Sequence, residues 1–462
     1  MKGNTHFIGI GGTGLSAIAR VLLERGEQVS GSDREESAPA QALRQAGALV
    51  HIGHAAGNVN GAARVIRSSA VSDDNVEVQA ARAKGIPVFK RADFLAHLLA
   101  NQQVIAVAGS HGKTTTTAML AWMLTALNQR PGFIIGSLAQ NLGANAAAGA
   151  GRLFVIEADE YDYMFLGLSP QLALVTNVEY DHPDLFATPA DFNKAFRSFV
   201  DRIQPEGTLL ASGDDLGARD LLTYAKTQGK AIYSYSHSHK DADYLATEIK
   251  PQPEKGSSFK ALHGGKTFAE IHLQVPGLHN VSNALAALAA ADLLGLPANE
   301  AAMALSDFRG TARRFDIRGE PGGVLIIDDY AHHPTEIRST LAAAKSRYPG
   351  RRLWAVWQPH TYSRTQTLWD DFAAAFAEAD SVLVTDVYAA REQAPAGFDM
   401  GALVKSIEHA DARHVPTLDQ AGDYLLSELK AGDIVIVMSA GDAVALSESL
   451  YSALKEREAL HG

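Results

Sequence analysis

The sequence predicts an α/β protein built from three successive blocks, each around a mainly parallel sheet. Three observations predict it. Short apolar strands alternate with segments of helical apolar spacing along most of the 462 residues. The alternation restarts twice, near residues 99 and 313. In each of the first two blocks a glycine-rich turn joins the opening strand to the next helix.

The chain is too long for one ordinary core, so two to four domains are expected. Apolar residues make up 46% and charged residues 20%, as in a typical globular protein. The net charge of −11 argues against nonspecific nucleic-acid binding as the main role. There is no cysteine, which excludes disulfides, thiolate metal sites and a cysteine nucleophile. No apolar run reaches the roughly 18 residues that span a bilayer. "MKGNTHFIGIGG" enters a strand without the apolar stretch of a signal peptide, so the expected location is the cytoplasm.

The first block covers residues 1–98. "THFIGI" is a strand, "LSAIARVLLERG" a helix ending at Gly26, and "EQVSGSD" a second strand ending at Asp33. "ARVIRSSAV" and "IPVFK" read as later strands. Gly9, Gly11 and Gly14 fit G-x-G-x-x-G, with Asp33 about twenty positions on, a pattern that suits a pyrophosphate at a helix N-terminus.

The second block, 99–312, opens with the strand "QVIAVAG", the turn "SHGK" and the helix "TTTTAMLAWMLTAL". Gly109, Gly112, Lys113 and Thr114 form a short phosphate loop. Its backbone N–H groups can surround a phosphate, Lys113 can reach the terminal phosphates, and the Thr114 hydroxyl can join a Mg²⁺ shell. "LFVIEAD" and "LALVTNV" are two further buried strands. Glu157, Asp159 and Glu160 follow the first, and Asp181 and His182 follow the second. In parallel sheets ligands collect at such carboxyl ends. Glu157 and His182 are the preferred metal ligands among these groups. Between residues 231 and 275, "AIYSYS", "YLATEIK", "SFKALHGG" and "TFAEIHLQV" suggest a small antiparallel appendage. "NVSNALAALAAADLLG" is a long helix.

The third block, 313–462, alternates the strands "GVLIIDDYA", "RRLWAVWQPH", "DSVLVTDVY" and "DIVIVMSAG" with the helices "TEIRSTLAAAKSRY" and "TLWDDFAAAFAEA". Two phosphate-type loops in tandem favour an enzyme that joins two compounds, one carrying a diphosphate.

Taken in order, "GIGGTGLS", "GSHGKTTT", "EADEYD", "TNVEYDH", "GLHNVSNALAA", "RRF", "DDYAHHPTE" and "QPHTYSRT" resemble the Mur ligases, the ATP-dependent amide-forming enzymes of peptidoglycan precursor synthesis. The resemblance covers nearly the whole chain. It implies a Rossmann-like N-terminal domain for a UDP-sugar, a central P-loop ATPase domain and a Rossmann-like C-terminal domain. It implies a cytoplasmic ligase of cell-wall biogenesis that uses ATP and Mg²⁺ and takes only small-molecule substrates, with no nucleic-acid or membrane partner, as a monomer or homodimer. The reaction implied joins L-alanine to the lactyl carboxylate of UDP-N-acetylmuramate through an acyl phosphate.

The same resemblance implies roles for particular residues. Gly11, Gly12, Thr13, Gly14, Ser16, Asp33 and Ser69 would hold the UDP-sugar, with His333 and His360 facing its muramoyl part. Gly109, Ser110, His111, Gly112, Lys113, Thr114, Thr115, His279, Asn280, Asn283, Arg314, Asp329 and Tyr330 would bind ATP. Thr114, Glu157 and His182 would hold the metal. Lys113, Glu157, His182, Arg314 and His333 would take part in catalysis, and Arg364 would bind the amino-acid carboxylate. "EADEYD" also resembles the family member that adds the whole tripeptide L-Ala-γ-D-Glu-meso-diaminopimelate to the same sugar. An NAD-dependent oxidoreductase rests on the first loop alone and leaves the second unexplained. A nucleotide-gated binding module without ligase chemistry is a third alternative.

Overall fold

The computed structural model describes residues 3–461. The chain falls into two compact units. Met1–Glu179, Ala190–Leu245 and Asn283–Leu305 form the first; Tyr180–Pro189, Ala246–Ser282 and Ser306–Gly462 form the second.

The first unit holds two sheets. One has the strand order Leu49–Ile52, Val29–Asp33, Asn4–Ile8, Ala62–Arg67, Val88–Lys90, and every pairing is parallel. The order reverses between Asn4–Ile8 and Ala62–Arg67, where a doubly wound sheet opens a ligand crevice at its carboxyl edge. The glycine loop and Ser69 follow those two strands. The Thr13–Glu24 helix buries Leu15, Ala17, Ile18, Val21 and Leu22, the stripe that its 3.6-residue period requires.

The other sheet of this unit runs Ala231–Ser236, Thr208–Ser212, Leu172–Val175, Gln103–Ala108, Leu153–Glu157, Gly132–Ala139, Ala144–Ala147. All these pairings are parallel except the last. Strands covered on both faces need apolar residues at every position, and Val104–Ala108 and Leu172–Val175 are buried throughout. The strand before the phosphate loop therefore lies between those that lead to Glu157 and to Asn177.

The second unit contains a six-stranded sheet ordered Asp316–Gly319, Leu325–Asp329, Ile434–Met438, Leu353–Trp357, Ser381–Val384, Ala412–His414. Only its first strand is antiparallel. Trp357 packs into the core on one face and Trp354 into the core on the other. Truncating either to Ala removes about 3–5 kcal/mol.

Two expectations change. "AIYSYS", the Ala231–Ser236 strand, pairs in parallel with Thr208–Ser212, and "YLATEIK" begins in parallel with it at Tyr244 and Leu245, so both continue the parallel sheet. The antiparallel appendage is the Ser257–His263 and Lys266–Leu273 hairpin. The helix expected over "TLWDDFAAAFAEA" is cut short, since only Trp369–Ala373 of it is helical and a separate helix precedes it. Tyr362–Thr367 and Trp369–Ala373 meet at Leu368 (φ −107°, ψ 26°), and the bend sets Leu368, Trp369, Phe372 and Phe376 against one core. Among the described residues no helix is long and apolar enough to cross a membrane.

Candidate active site

The phosphate loop of the first unit lies between the Gln103–Ala108 strand and the Lys113–Ala126 helix. Gly112 caps that helix with φ +79°, and a Cβ there would lie 2.8 Å from Asn283 Oδ1. The positive φ favours glycine there, and the contact places Asn283 beside the loop. The loop is shaped from the next strand end. Ser110 N–H donates to Asn177 O at 3.1 Å, and His111 N–H to Asn177 Oδ1 at 2.8 Å. Thr176 Oγ1 donates to His111 O at 2.5 Å. Ser110 Oγ donates to Glu179 O at 2.6 Å, and His111 Nε2 lies 3.1 Å from Glu179 Oε2.

Lys113 Nζ donates to Gly109 O at 2.5 Å and contacts both oxygens of Glu160 at 2.8 and 2.9 Å. Burial works against the ammonium, but Glu160 and then Asp159 outweigh it and hold the Lys113 pKa above its usual value. Glu160 is fully buried. The sequence offered Glu160 as an acid without a role, and the structure makes it the counter-charge of Lys113.

Thr114 Oγ1 donates to Glu157 Oε1 at 2.9 Å, and Gly136 N–H to Glu157 Oε2 at 2.6 Å. Burial raises the Glu157 pKa against the opposing pull of Lys113. A desolvated carboxylate beside a hydroxyl is a hard-oxygen donor set, and it gains from a bound cation. Thr115 is buried in the first turn of the same helix.

At the first glycine loop, Gly11 N–H donates to Asp33 Oδ2 at 2.8 Å, and Arg34 N–H takes the other oxygen at 2.8 Å. Asp33 thus shapes the loop. Ser16 is buried and bonds Thr13 O at 3.1 Å, while Gly12, Thr13 and Ser69 are exposed. The helix that follows has Gly12 as its N-cap and no acidic residue in its first turn, leaving a positive terminus.

The remaining expected residues, apart from Asn283, belong to the second unit. Arg314 Nη1 donates to Glu336 Oε1 at 2.9 Å, and Tyr330 lies under the guanidinium groups of Arg313 and Arg314 at 5.0 and 5.1 Å. Asp329 accepts from Phe315 N–H and Ala331 N–H, each at 2.7 Å, and burial pushes its pKa up to about 6. His279 is held at about 4 by burial and by Arg314. Asn280 Nδ2 donates to Pro276 O at 2.7 Å. His333 caps the Pro334–Arg347 helix, accepting from Thr335 N–H.

Arg364 is buried, with Nε 2.7 Å from Asp181 Oδ1 and Nη1 3.1 Å from His360 Nδ1. Burial opposes the Asp181 carboxylate, but His182 and Arg364 hold its pKa well below the usual range. Burial, then Arg364, keeps His360 at about 4. His182 takes a left-handed conformation (φ +56°), with its N–H on Asp181 Oδ1 at 2.7 Å. Sequence reasoning missed the Arg364–Asp181 pair, since 183 residues separate the partners.

Three family models match the chain in order. They are the Mur ligase family catalytic domain over residues 4–103, the Mur ligase middle domain over 107–291, and the Mur ligase glutamate ligase domain over 313–441. The chain belongs to the Mur ligase family and has its three-domain α/β fold. A UDP-N-acetylmuramate–L-alanine ligase from Roseiflexus sp. (strain RS-1) is 43% identical over 98% of this chain and 99% of its own. The ligase of that name from Renibacterium salmoninarum is 43% identical over 100% of this chain and 98% of its own. The UDP-N-acetylmuramate–alanine ligase of Thermotoga maritima superposes with a TM-score of 0.82 at 29% identity, covering 98% of this chain and 100% of that one. A murein peptide ligase from Psychrobacter arcticus reaches 0.71 at 28% identity, covering 98% and 99%.

Proposed function

We propose that this chain is the ATP-dependent ligase that joins L-alanine to the lactyl carboxylate of UDP-N-acetylmuramate in peptidoglycan precursor synthesis, acting in the cytoplasm. The observation that carries the reading is the phosphate loop, with Lys113, Thr114 and Glu157 gathered at adjacent strand ends. The full-length similarity to ligases of that name supports the choice of substrates. We assign residues 1–98 to the UDP-sugar, 99–312 to ATP and 313–462 to the amino acid.

A carboxylate resists attack by an amine, because resonance and its negative charge both oppose it. Transfer of the ATP γ-phosphoryl group to the lactyl carboxylate removes both obstacles. The neutral amine of L-alanine then attacks the acyl phosphate, and the tetrahedral intermediate collapses to amide and phosphate. The Gly109–Thr115 loop, with Asn283, orients the triphosphate, and Lys113 offsets the charge that spreads over the transferred group. Thr114, Glu157 and His182 would hold Mg²⁺, which when bound neutralises phosphate charge. In the second unit, Arg314 serves the phosphates, and His279, Asn280, Asp329 and Tyr330 serve the nucleotide. His333 and His360 serve the muramoyl group, and Arg364 the alanine carboxylate. Gly11 to Gly14, Ser16, Asp33 and Ser69 serve the UDP moiety. Holding reactants in register is worth up to about 7–11 kcal/mol of barrier.

The test is phosphate release measured with each substrate omitted in turn. Release that needs ATP, UDP-N-acetylmuramate and L-alanine together is the expected result. Preference for the tripeptide over L-alanine would reassign the acceptor.

A further inference from the structure

Arg91, the first residue of the Arg91–Leu98 helix, plays no part in the sequence motifs, yet it touches two of them. Its guanidinium lies against the glycine loop. A Cβ built on Gly14 would fall 2.3 Å from Arg91 Nη1 and 3.4 Å from its Cζ. A side chain at Gly14 would have to displace the end of that guanidinium. The other end of the fork, Nη2, donates to Asp159 Oδ2 at 3.2 Å. Asp159 Oδ1 in turn accepts from Tyr161 N–H at 3.2 Å.

The backbone that carries Arg91 is closely packed. A Cβ on Gly167 would lie 2.0 Å from Ala92 O, so the Tyr161–Gly167 segment packs on the backbone of the Arg91 helix. Asp159 also acts on the phosphate loop: after burial and Glu160, it is the next group bearing on the Lys113 ammonium. One guanidinium thus stands between the loop that faces a diphosphate and the carboxylates that face a triphosphate. A single carboxylate shares its charge, so the planar fork can bind a second anion without leaving the first.

Resting on the reading of the first loop as a UDP-sugar site, we propose that Arg91 binds the diphosphate of the sugar nucleotide and, through Asp159, couples its binding to that of ATP. When the diphosphate draws on Arg91, Asp159 loses part of its counter-charge and acts more strongly on Lys113. The coupling is reciprocal, as any linkage between two binding sites must be.

The test is calorimetry on the full chain with uridine, UDP and UDP-N-acetylmuramate, with and without a non-hydrolysable ATP analogue. Arg91→Ala should weaken UDP and the sugar nucleotide by about thirtyfold, the loss expected for a charge-assisted contact to phosphate. It should leave uridine unchanged. In the wild type the analogue should change the Kd of UDP, and in Arg91→Lys and Asp159→Asn that ratio should fall to one. Arg91→Lys keeps the charge and the stem, so it decides the matter if Arg91→Ala does not fold. Equal losses for uridine and UDP would show a structural role only and overturn the assignment. A wild-type ratio of one, or a ratio unchanged in Arg91→Lys, would overturn the coupling. Wild-type binding of UDP without binding of UDP-N-acetylmuramate would instead count against the proposed function, while the comparison of UDP with uridine would still decide Arg91.

Discussion

Lys113 and Glu160 form a closed pair: both oxygens of a fully buried carboxylate lie within 2.9 Å of the ammonium. In this state the phosphate loop carries its own counter-charge. An incoming triphosphate replaces an existing partner of Lys113 instead of meeting a bare cation.

Removing Lys113 leaves Glu160 charged in a buried place. Lys113→Ala should cost about 3 kcal/mol of stability in the absence of nucleotide, and adding Glu160→Gln should restore most of it. Neither variant should turn over, while UDP-sugar binding should be kept. Calorimetric unfolding and titration with UDP-N-acetylmuramate check this. Full stability of the single variant would show that the pair is not what holds Glu160.

Glu157 is expected to need a divalent cation as its counter-charge. Glu157→Gln should raise the Mg²⁺ concentration for half-maximal rate by at least about tenfold. A Mg²⁺ titration of phosphate release reads it directly, and an unchanged midpoint would remove Glu157 from the metal site.

Acidification should weaken the second unit before the first. Burial holds His332 at about 3 and His279 and His360 at about 4, all below the unfolded value near 6.5. A depressed pKa gives stability that is present above the unfolded value and is lost as pH falls toward the folded one. Asp329, raised to about 6, works the other way and loses stability as pH rises through that value. Between pH 6.5 and 4 the unfolded chain binds up to three more protons at the histidines and one fewer at Asp329. The limiting slope is about 2.7 kcal/mol per pH unit, or two protons. Urea unfolding at pH 7, 6 and 5 should show this fall, and His332→Asn should flatten it by about one proton. A flat profile would mean that these rings are protonated in the fold.

Arg364 has a structural partner as well as its assigned ligand. Arg364→Ala should raise the Michaelis constant for L-alanine far more than that for ATP. It should also destabilise the chain by about 3 kcal/mol, because the buried Asp181 carboxylate loses its guanidinium partner and keeps only His182. Adding Asp181→Asn should restore stability without restoring the constant for L-alanine. Recovery of both would reduce Arg364 to a structural role.

Local features were legible in the sequence. The glycine loop, Lys113 and Thr114 sit within a few residues, and buried strands declare themselves as apolar runs. Pairings across the chain were not. The bonds by which Asp33 shapes the loop, to Gly11 N–H and Arg34 N–H, have no mark in the sequence. "AIYSYS" alternates like an exposed strand yet joins the parallel sheet, paired with Thr208–Ser212 on one side and with Tyr244–Leu245 on the other. Arg91 carries no motif at all. Its meaning lies in the contact of its guanidinium with Gly14, which only three dimensions reveal.

The most direct test of the account is a competition assay with ATP and UDP-N-acetylmuramate, L-alanine against the tripeptide L-Ala-γ-D-Glu-meso-diaminopimelate, with the amide product identified by mass. The account predicts the alanyl product, formed with one phosphate released per amide. Phosphate release without an amide, or a product carrying the tripeptide alone, would contradict it.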